Sequence, residues 1–240
     1  MDRQGLDWRE FATPQDLAEA QADAVAEALR AAIQDRGGAT LAVSGGTTPV
    51  RFFRALATRA LDWSKVTVTL VDERYAPPSS DRSNERLARE ALLQGAAAQA
   101  HLIALYSDAD SVEVAAQRAD LRMLEILFPI DVVVLGMGGD GHTASFFPDA
   151  ENLDELLDPL TRQAVFAVHA ASAGEPRLTL ALPRLASARM LVLHIEGRAK
   201  RTVLEAALAA PDARLPVRRV LDAAETTPIV CWAPDQEEKP

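Results

Sequence analysis

The residues best suited to chemistry follow an apolar run. Val132–Leu135 is predicted to be a buried strand, and positions 136–141 then hold four glycines and Asp140. Glycine lets the backbone turn sharply and approach a ligand closely. His142 comes next, and histidine is the side-chain type that exchanges a proton most readily near neutral pH. Because open α/β sheets place chemistry at strand ends, this pattern predicts a catalytic histidine. The alternative is a tight strand-to-helix turn whose histidine only caps the helix.

A second predicted strand end has the composition of an anion site. It reads Ser44-Gly45-Gly46-Thr47-Thr48-Pro49 and opens a predicted helix. Two glycines, two threonine hydroxyls and a proline-started helix would gather N–H donors at a positive helix end, which favours a phosphate. The segment matches neither a Walker A loop nor the GxGxxG dinucleotide motif. A bare strand–turn–helix connection is the alternative.

Three consecutive charges, Asp72-Glu73-Arg74, close the predicted strand at 66–71. Parallel strands deliver their carboxyl ends to one crevice, so this triplet is expected beside the first loop. Arg74 offers a rigid fork of donors that suits a phosphate, and Asp72 is a candidate to orient a sugar hydroxyl or manage a proton. The alternative is a solvated charge cluster at a strand end.

Further cations lie later in the chain. Arg198 and Lys200 stand where a helix is predicted to begin, a position that disfavours positive charge unless an anion is held there. Arg177 precedes a predicted strand and is a third candidate, although each of these is also compatible with ordinary surface charge. His169 and His194 lie inside apolar runs and are predicted to be core or strand-face residues. Together the strand ends predict a sugar-phosphate site with one histidine base.

These strand ends require an α/β fold to bring them together. Strands alternate with helices along the chain, which predicts a Rossmann-like, mostly parallel sheet with helices on both faces, in one domain over residues 1–240. Strands are predicted at 39–43, 66–71, 102–105, 131–135, 165–168, 178–182, 190–195 and 228–232. Helices are predicted at 14–36, 49–60, 84–98, 112–127, 153–157 and 199–210.

Composition excludes several classes of function. The formal net charge of −10 disfavours nonspecific binding to nucleic acid or to an anionic membrane. A single cysteine, Cys231, excludes an internal disulfide framework and a cysteine zinc site, and the four histidines lack metal-ligand spacing. Neither a signal-peptide core in residues 1–5 nor a membrane-spanning apolar run is found. The sequence therefore predicts a soluble cytoplasmic protein, with a monomer preferred.

The motifs resemble those of one family, the 6-phosphogluconolactonases. The match runs in order through the two loops and the Asp72–Arg74 triplet, and continues in the later segments 177–180, 197–200 and 215–221. The segment from Gly136 to Pro148 is the most specific part of the match. The resemblance implies a Rossmann-like fold and hydrolysis of 6-phospho-D-glucono-1,5-lactone to 6-phosphogluconate in the oxidative pentose phosphate pathway, with no metal or organic cofactor.

The resemblance also implies roles for individual residues. His142 would take a proton from the attacking water, and Asp140 would orient its ring. The phosphate would be held by Arg74, Lys200 and the backbone of Gly45 and Gly46, with Arg177 as a third cation. Substrate contacts are also expected from Ser44, Thr47, Asp72 and Gly138. We further expect glycine-loop N–H groups to stabilise the tetrahedral oxyanion.

Two alternatives remain at this point. The related glucosamine-6-phosphate deaminase/isomerase group shares both loops but has a glutamate that assists ring opening, where this chain has Phe147. Phenylalanine cannot relay a proton, which disfavours that reaction. The other alternative is a sugar-phosphate-binding regulator without catalysis, but such a protein is expected to lose His142 or Asp140, and both are present.

Overall fold

The computed structural model describes residues 5–126, 128–209 and 215–235. Within these residues the strands are β1 Asp7–Glu10, β2 Ala39–Val43, β3 Val66–Leu70, β4 Asp72–Arg74, β5 His101–Ile103, β6 Val132–Leu135, β7 Val165–Val168, β8 Arg177–Leu180, β9 Met190–Glu196 and β10 Ile229–Ala233. The helices are α1 Pro14–Arg36, α2 Val50–Ala57, α3 Asn84–Ala91, α4 Val112–Arg122, α5 Leu153–Leu156, α6 Leu182–Ala186, α7 Arg198–Ala209 and α8 Pro216–Ala223.

Seven strands form one sheet in the order β1-β10-β9-β6-β2-β3-β5, and every neighbouring pair is parallel. The predicted α/β class with a mostly parallel sheet is confirmed. β2 and β6 lie side by side near the middle, and all their residues are buried. This burial explains why both strands read as continuous apolar runs. Their carboxyl ends carry the two glycine-rich loops.

Local signals for α1 are confirmed. Thr13 accepts a hydrogen bond from the Asp16 N–H at 3.1 Å, and Pro14 begins the helix. Gly37 ends it with a left-handed φ of 82°, and its N–H donates to Ile33 O. The helix packs against α2 and against β2 and β10. Among the described helices, none combines the length and apolarity needed to cross a membrane.

A second, antiparallel sheet was not predicted. It has the order β4-β8-β7 and takes in the Asp72–Arg74 triplet, which was expected as the end of the preceding strand. The chain changes direction at Val71, whose N–H donates to Val43 O at 3.0 Å and whose carbonyl accepts from Leu180 N–H at 2.9 Å. The strands predicted at 165–168 and 178–182 therefore lie in this small sheet and not in the parallel one, and the second of them ends at Leu180, before α6 begins at Leu182.

Several helix ends also differ from prediction. The helix predicted over 84–98 ends at Ala91, and a separate 3-10 turn follows at Gly95–Gln99, where Gly95 has a φ of 57°. The helix predicted over 112–127 ends at Arg122 and continues as a 3-10 turn to Glu125. The predicted ends at 127 and 210, and residues 1–4, lie outside the described residues. Strand β1 and helices α6 and α8 were missed.

At their amino ends, β2 and β6 are joined by a buried polar cluster. The Asp131 carboxylate accepts hydrogen bonds from the Thr40 N–H at 2.8 Å and from its hydroxyl at 3.1 Å. The Asp131 N–H donates to the same hydroxyl at 2.9 Å, and Arg36 pairs with the carboxylate. These contacts fix the two central strands relative to each other at the edge opposite the glycine-rich loops.

Candidate active site

A cavity of about 250 Å³ lies at the carboxyl ends of β2, β6 and β9 and beside β4 and β8. The structure brings the predicted site residues together on its wall with two exceptions. Asp140 lies behind His142, and Arg198, a predicted cation of the site, does not line the cavity. The lining side chains and backbone include Ser44, Gly45, Gly46, Thr47, Asp72, Arg74, Gly138, His142, Arg177 and Lys200. Asn84, Ala144 and His194 also line it and were not predicted.

The loop after β2 leads directly into α2. Ser44 Oγ donates to Val134 O at 3.0 Å and accepts from the Gly136 N–H at 3.0 Å. Its hydroxyl therefore ties the two glycine-rich loops together. Gly46 has a φ of 90°, and α2 begins at Val50 just beyond the loop. The positive end of this helix faces a loop that lines the cavity, as an anion site requires.

Gly45 is required by the close approach of Asn84. A Cβ built on Gly45 would lie 1.8 Å from Asn84 Oδ1, so any larger residue would displace that amide. Asn84 is buried, and its Nδ2 donates to Asp72 O at 2.9 Å. This amide therefore connects the anion loop with β4. The sequence signal was only the position of Asn84 at a predicted helix start.

Glu73 points away from the cavity because side chains alternate along β4. It is fully buried and accepts hydrogen bonds from the N–H groups of Arg74, Asn84 and Glu85 and from the Ser83 hydroxyl, at 2.7–3.1 Å. Burial raises the pKa of Glu73 to about 7, against the opposing effect of the backbone donors. The carboxyl group thus fixes the start of α3 behind the site.

Asp72 and Arg74 share the opposite face of β4, toward the cavity. Asp72 Oδ2 accepts from Ser145 Oγ at 2.7 Å, and Oδ1 lies 3.4 Å from Asn84 Nδ2. Ser145 is fully buried, and its N–H donates to Thr179 Oγ1 at 3.3 Å. The loop that follows His142 is therefore attached directly to Asp72.

Arg74 and Arg177 stand directly opposite each other in the β4–β8 ladder. Each has one guanidinium bond to a carbonyl, to Arg82 O and Ala173 O respectively. Both Nε atoms are buried without a hydrogen-bond partner among the described residues. Burial lowers the pKa of Arg177, the charge of Asp72 opposes this effect, and the charge of Arg74 adds to it. Facing like charges are destabilising in a sheet, so this pair is suited to an anion held against it.

His142 is held by the carboxylate of Asp140. Nδ1 lies 2.6 Å from Asp140 Oδ1, which also accepts the His142 N–H at 3.1 Å. A carboxylate at Nδ1 favours the tautomer that carries its proton there, leaving Nε2 able to accept a proton. The ring packs on Phe147 with centroids 4.4 Å apart, and the Arg177 guanidinium lies 5.6 Å from the same phenyl ring.

The glycines after β6 make room for the imidazole. A Cβ on Gly138 would lie 2.2 Å from His142 Cε1. The Gly138 N–H donates to His142 O, the Gly141 N–H to Gly138 O, and the Gly136 N–H to Ser44 Oγ. These three donors are occupied within the protein, so the expectation that loop N–H groups stabilise an oxyanion stays a prediction for the other N–H groups of the loop. The role of the three occupied donors is to shape the loop.

Two further side chains line the cavity, His194 from β9 and Lys200 from α7. Lys200 lies in the first turn of α7, where a cation is unfavourable without an anion. His194, predicted as a core residue, is 2% exposed yet lines the cavity. Its Nε2 lies 3.2 Å from Glu196 Oε1, and Glu196 Oε2 lies 3.6 Å from Arg51 Nη1 on α2. Its Nδ1 is buried with no partner in the described part of the chain.

Comparisons with known proteins show sequences and structures similar to this chain over most of its length. The family model described as glucosamine-6-phosphate isomerases/6-phosphogluconolactonase matches residues 12–229. A 6-phosphogluconolactonase of Mesorhizobium japonicum is 54% identical over 227 residues, which cover 95% of each chain. One from Pseudomonas aeruginosa is 47% identical, covering 88% of this chain and 87% of that one. A crystal structure of a 6-phosphogluconolactonase from Shewanella baltica superimposes with a TM-score of 0.91 at 37% identity, covering 95% of this chain and 97% of that one.

Proposed function

The chain belongs to the 6-phosphogluconolactonase family, and we propose that it hydrolyses 6-phospho-D-glucono-1,5-lactone to 6-phosphogluconate in the oxidative pentose phosphate pathway. The observation that carries this proposal is the His142–Asp140 pair beside a cavity lined by three cationic side chains. Hydrolysis of a phosphorylated ester requires a group that accepts a proton and a site that binds the phosphate, and such a cavity offers both.

In the proposed reaction, His142 Nε2 takes a proton from a water molecule as the water oxygen bonds to the lactone carbonyl carbon. The C–O bond to the ring oxygen then breaks, and the imidazolium returns its proton to that oxygen. The new carboxylic acid ionises and releases one proton. Asp140 stabilises the imidazolium and holds the ring orientation. General-base assistance of this kind supplies roughly 10²–10⁴-fold in rate.

The phosphate is assigned to the part of the cavity that the loop after β2 lines. Lys200, Arg74 and the Gly45–Gly46 backbone at the start of α2 supply charge and N–H donors there. Arg177 is the third cation, and its place over Phe147 puts it near the His142 ring. In this arrangement the phosphate fixes the substrate while the histidine acts on the distant carbonyl.

Phe147 disfavours the deaminase alternative. The phenyl ring is 4% exposed and packs directly on the His142 imidazole. The position that the deaminase group fills with a carboxylate is therefore apolar here, and no proton can pass through it. Ammonia release from glucosamine 6-phosphate is not expected.

A substrate panel tests the proposal. The full chain is assayed with fresh 6-phosphogluconolactone, with unphosphorylated D-glucono-1,5-lactone and with glucosamine 6-phosphate, after subtraction of spontaneous hydrolysis. We expect kcat/KM for the phosphorylated lactone to exceed that for the unphosphorylated one by about 100-fold or more, since several charge-assisted hydrogen bonds are lost without the phosphate. Ammonia release, or no acceleration of lactone hydrolysis, would overturn it.

A matched pair of variants tests the phosphate assignment. Lys200→Met removes the cation at the cavity, whereas Lys65→Met removes one that is half exposed and lies 3.8 Å from Asp62 outside the cavity. We expect Lys200→Met to raise KM about tenfold and Lys65→Met to leave it unchanged. Equal values for both variants would contradict the assignment.

A further inference from the structure

The buried carboxylate of Asp72 takes no part in the steps above. The residue is 7% exposed and lines the cavity. Its two oxygens meet the Ser145 hydroxyl and the Asn84 amide, which are neutral donors. Across the described residues, no Lys, Arg or His nitrogen lies within salt-bridge distance of it. An acidic side chain, with the negative charge that it brings, therefore lines a site that has to bind an anion.

This charge is unfavourable for simple substrate binding. Burying a carboxylate with no salt-bridge partner among the described residues costs free energy, and its charge, which already acts on Arg177, weakens the attraction of Arg74, Arg177 and Lys200 for a phosphate. If the residue served only to accept a hydrogen bond from a sugar hydroxyl, a neutral asparagine oxygen would do so without this cost. The charge itself is the feature that calls for an explanation.

The proposed reaction changes the charge of the ligand at one place. The lactone carbonyl is neutral, and the product carries a carboxylate at that carbon. Asp72 Oδ2 meets Ser145 in the segment that follows His142, and Oδ1 faces Asn84 Nδ2 beside Gly45. Its carboxylate therefore lines the same cavity of about 250 Å³ in which the carbonyl reacts at His142. Two like charges within one small cavity repel, with an energy that corresponds to about tenfold in affinity after partial screening.

We infer that Asp72 is a charge-selective residue, which weakens binding of the product carboxylate relative to the neutral lactone and so promotes product release. The inference rests on the proposed function, because it uses the charge difference between that substrate and its product. It assigns to Asp72 a part in discrimination between ligands, separate from proton transfer.

A comparison of two stable ligands tests the inference without turnover. 6-Phosphogluconate carries the carboxylate, and glucitol 6-phosphate carries a neutral CH₂OH group in its place. Calorimetry at pH 8 gives the ratio of their Kd values, with 6-phosphogluconate in the numerator. We expect a ratio above one in the wild type and a ratio about tenfold lower in Asp72→Asn, since asparagine keeps an oxygen for Ser145 but removes the charge.

Ser145→Ala is the control, because it keeps the carboxylate and removes only its hydroxyl partner. Its ratio should stay near the wild-type value. An unchanged ratio in Asp72→Asn, or an equal shift in Ser145→Ala, would overturn the inference. A wild-type ratio below one would also overturn it, even if Asp72→Asn failed to fold. Failure of the wild type to hydrolyse the lactone would instead count against the proposed function, while the binding ratio stays measurable.

Discussion

Within the described residues, buried polar groups lie near both ends of strands β2 and β6, but they are paired at the amino ends and unpaired near the carboxyl ends. At the amino ends, the Asp131 carboxylate is bonded to the backbone and hydroxyl of Thr40 and paired with Arg36. At the carboxyl ends, Arg74 and Arg177 face each other with Nε atoms that have no partner among the described residues, and the Asp72 carboxylate has no cation within salt-bridge distance there.

This difference between the two ends indicates that the polar groups at the amino ends stabilise the fold, whereas those near the carboxyl ends serve the site. Polar groups that satisfy one another stabilise the fold, whereas like charges held together and buried unpaired nitrogens cost stability unless a ligand completes them. Ala144, the described non-glycine residue with a left-handed φ of 48°, also lines the cavity at this second end. Substitutions at the amino ends should therefore change stability alone, and those at the carboxyl ends mainly activity.

Among the substitutions that leave His142 itself in place, Gly138→Ala should give the largest effect. Its Cβ would lie 2.2 Å from His142 Cε1, so the imidazole must move, and a shift of about 1 Å costs roughly 100-fold in rate. We expect kcat to fall by that factor with little change in Tm. The neighbouring Gly139→Ala is the control, since its Cβ meets nothing within 4 Å. Equal activity in the two variants would show that the loop does not position the histidine.

Asp131→Ala tests the opposite end of the strands. Removing the buried carboxylate leaves the Thr40 donors unsatisfied and removes the pairing with the partly exposed Arg36, which should lower the free energy of unfolding by about 3 kcal/mol, measured by urea denaturation. Asp35→Ala removes an exposed carboxylate that pairs with the same Arg36, and should cost less than about 0.5 kcal/mol. If Asp131→Ala changed kcat/KM under conditions where it is folded, the separation of the two ends would fail.

The free energy of unfolding should depend on pH through Glu73, the buried carboxyl group behind the site. Its pKa is raised from 4.5 to about 7 in the folded protein, so the folded state holds the proton longer than the unfolded chain. Its contribution is fully present below pH 4.5 and is lost as pH rises through 7. Between pH 5 and pH 8, the wild type should lose about 1–3 kcal/mol more stability than Glu73→Gln. Parallel stability profiles would contradict the raised pKa.

Substitution of His194 should give the smallest effect. Its Gln and Asn variants distinguish which of the two ring nitrogens contributes to binding. Gln places its amide near the Nε2 position that meets Glu196, and Asn places it near the unpaired Nδ1. If Nδ1 meets the ligand or a water bound with it, His194→Gln should raise KM about fivefold, and His194→Asn should raise it less. The reverse order would show that the Glu196 contact is the one that matters.

Structural features that depend on residues close together in the sequence were predicted correctly. The strand before Gly136, the loop from Ser44 and the caps of α1 follow from short patterns, and most predicted site residues meet at one cavity. The turn at Val71 depends on Val43 and Leu180, which are far away in the chain, so the second sheet could not be read from local periodicity.

The same reason explains which site residues were missed. Asn84 enters the site because Gly45 has no side chain, and Ser145 because it meets Asp72. His194 looks like any histidine in an apolar strand, and only the packing of β9 beside the cavity distinguishes it. Each of these assignments needs a contact between residues that are distant in sequence.

The most direct test of the central claim is lactone hydrolysis by His142→Ala beside His169→Ala. Both histidines have a ring nitrogen near a carboxylate, at 2.6 Å from Asp140 and 2.7 Å from Glu113, but His169 lies outside the cavity. We predict that His142→Ala lowers kcat by roughly 10²–10⁴-fold while 6-phosphogluconate still binds, and that His169→Ala retains full activity. Hydrolysis that survives in His142→Ala would contradict the account, because the cavity would then work without its proposed base.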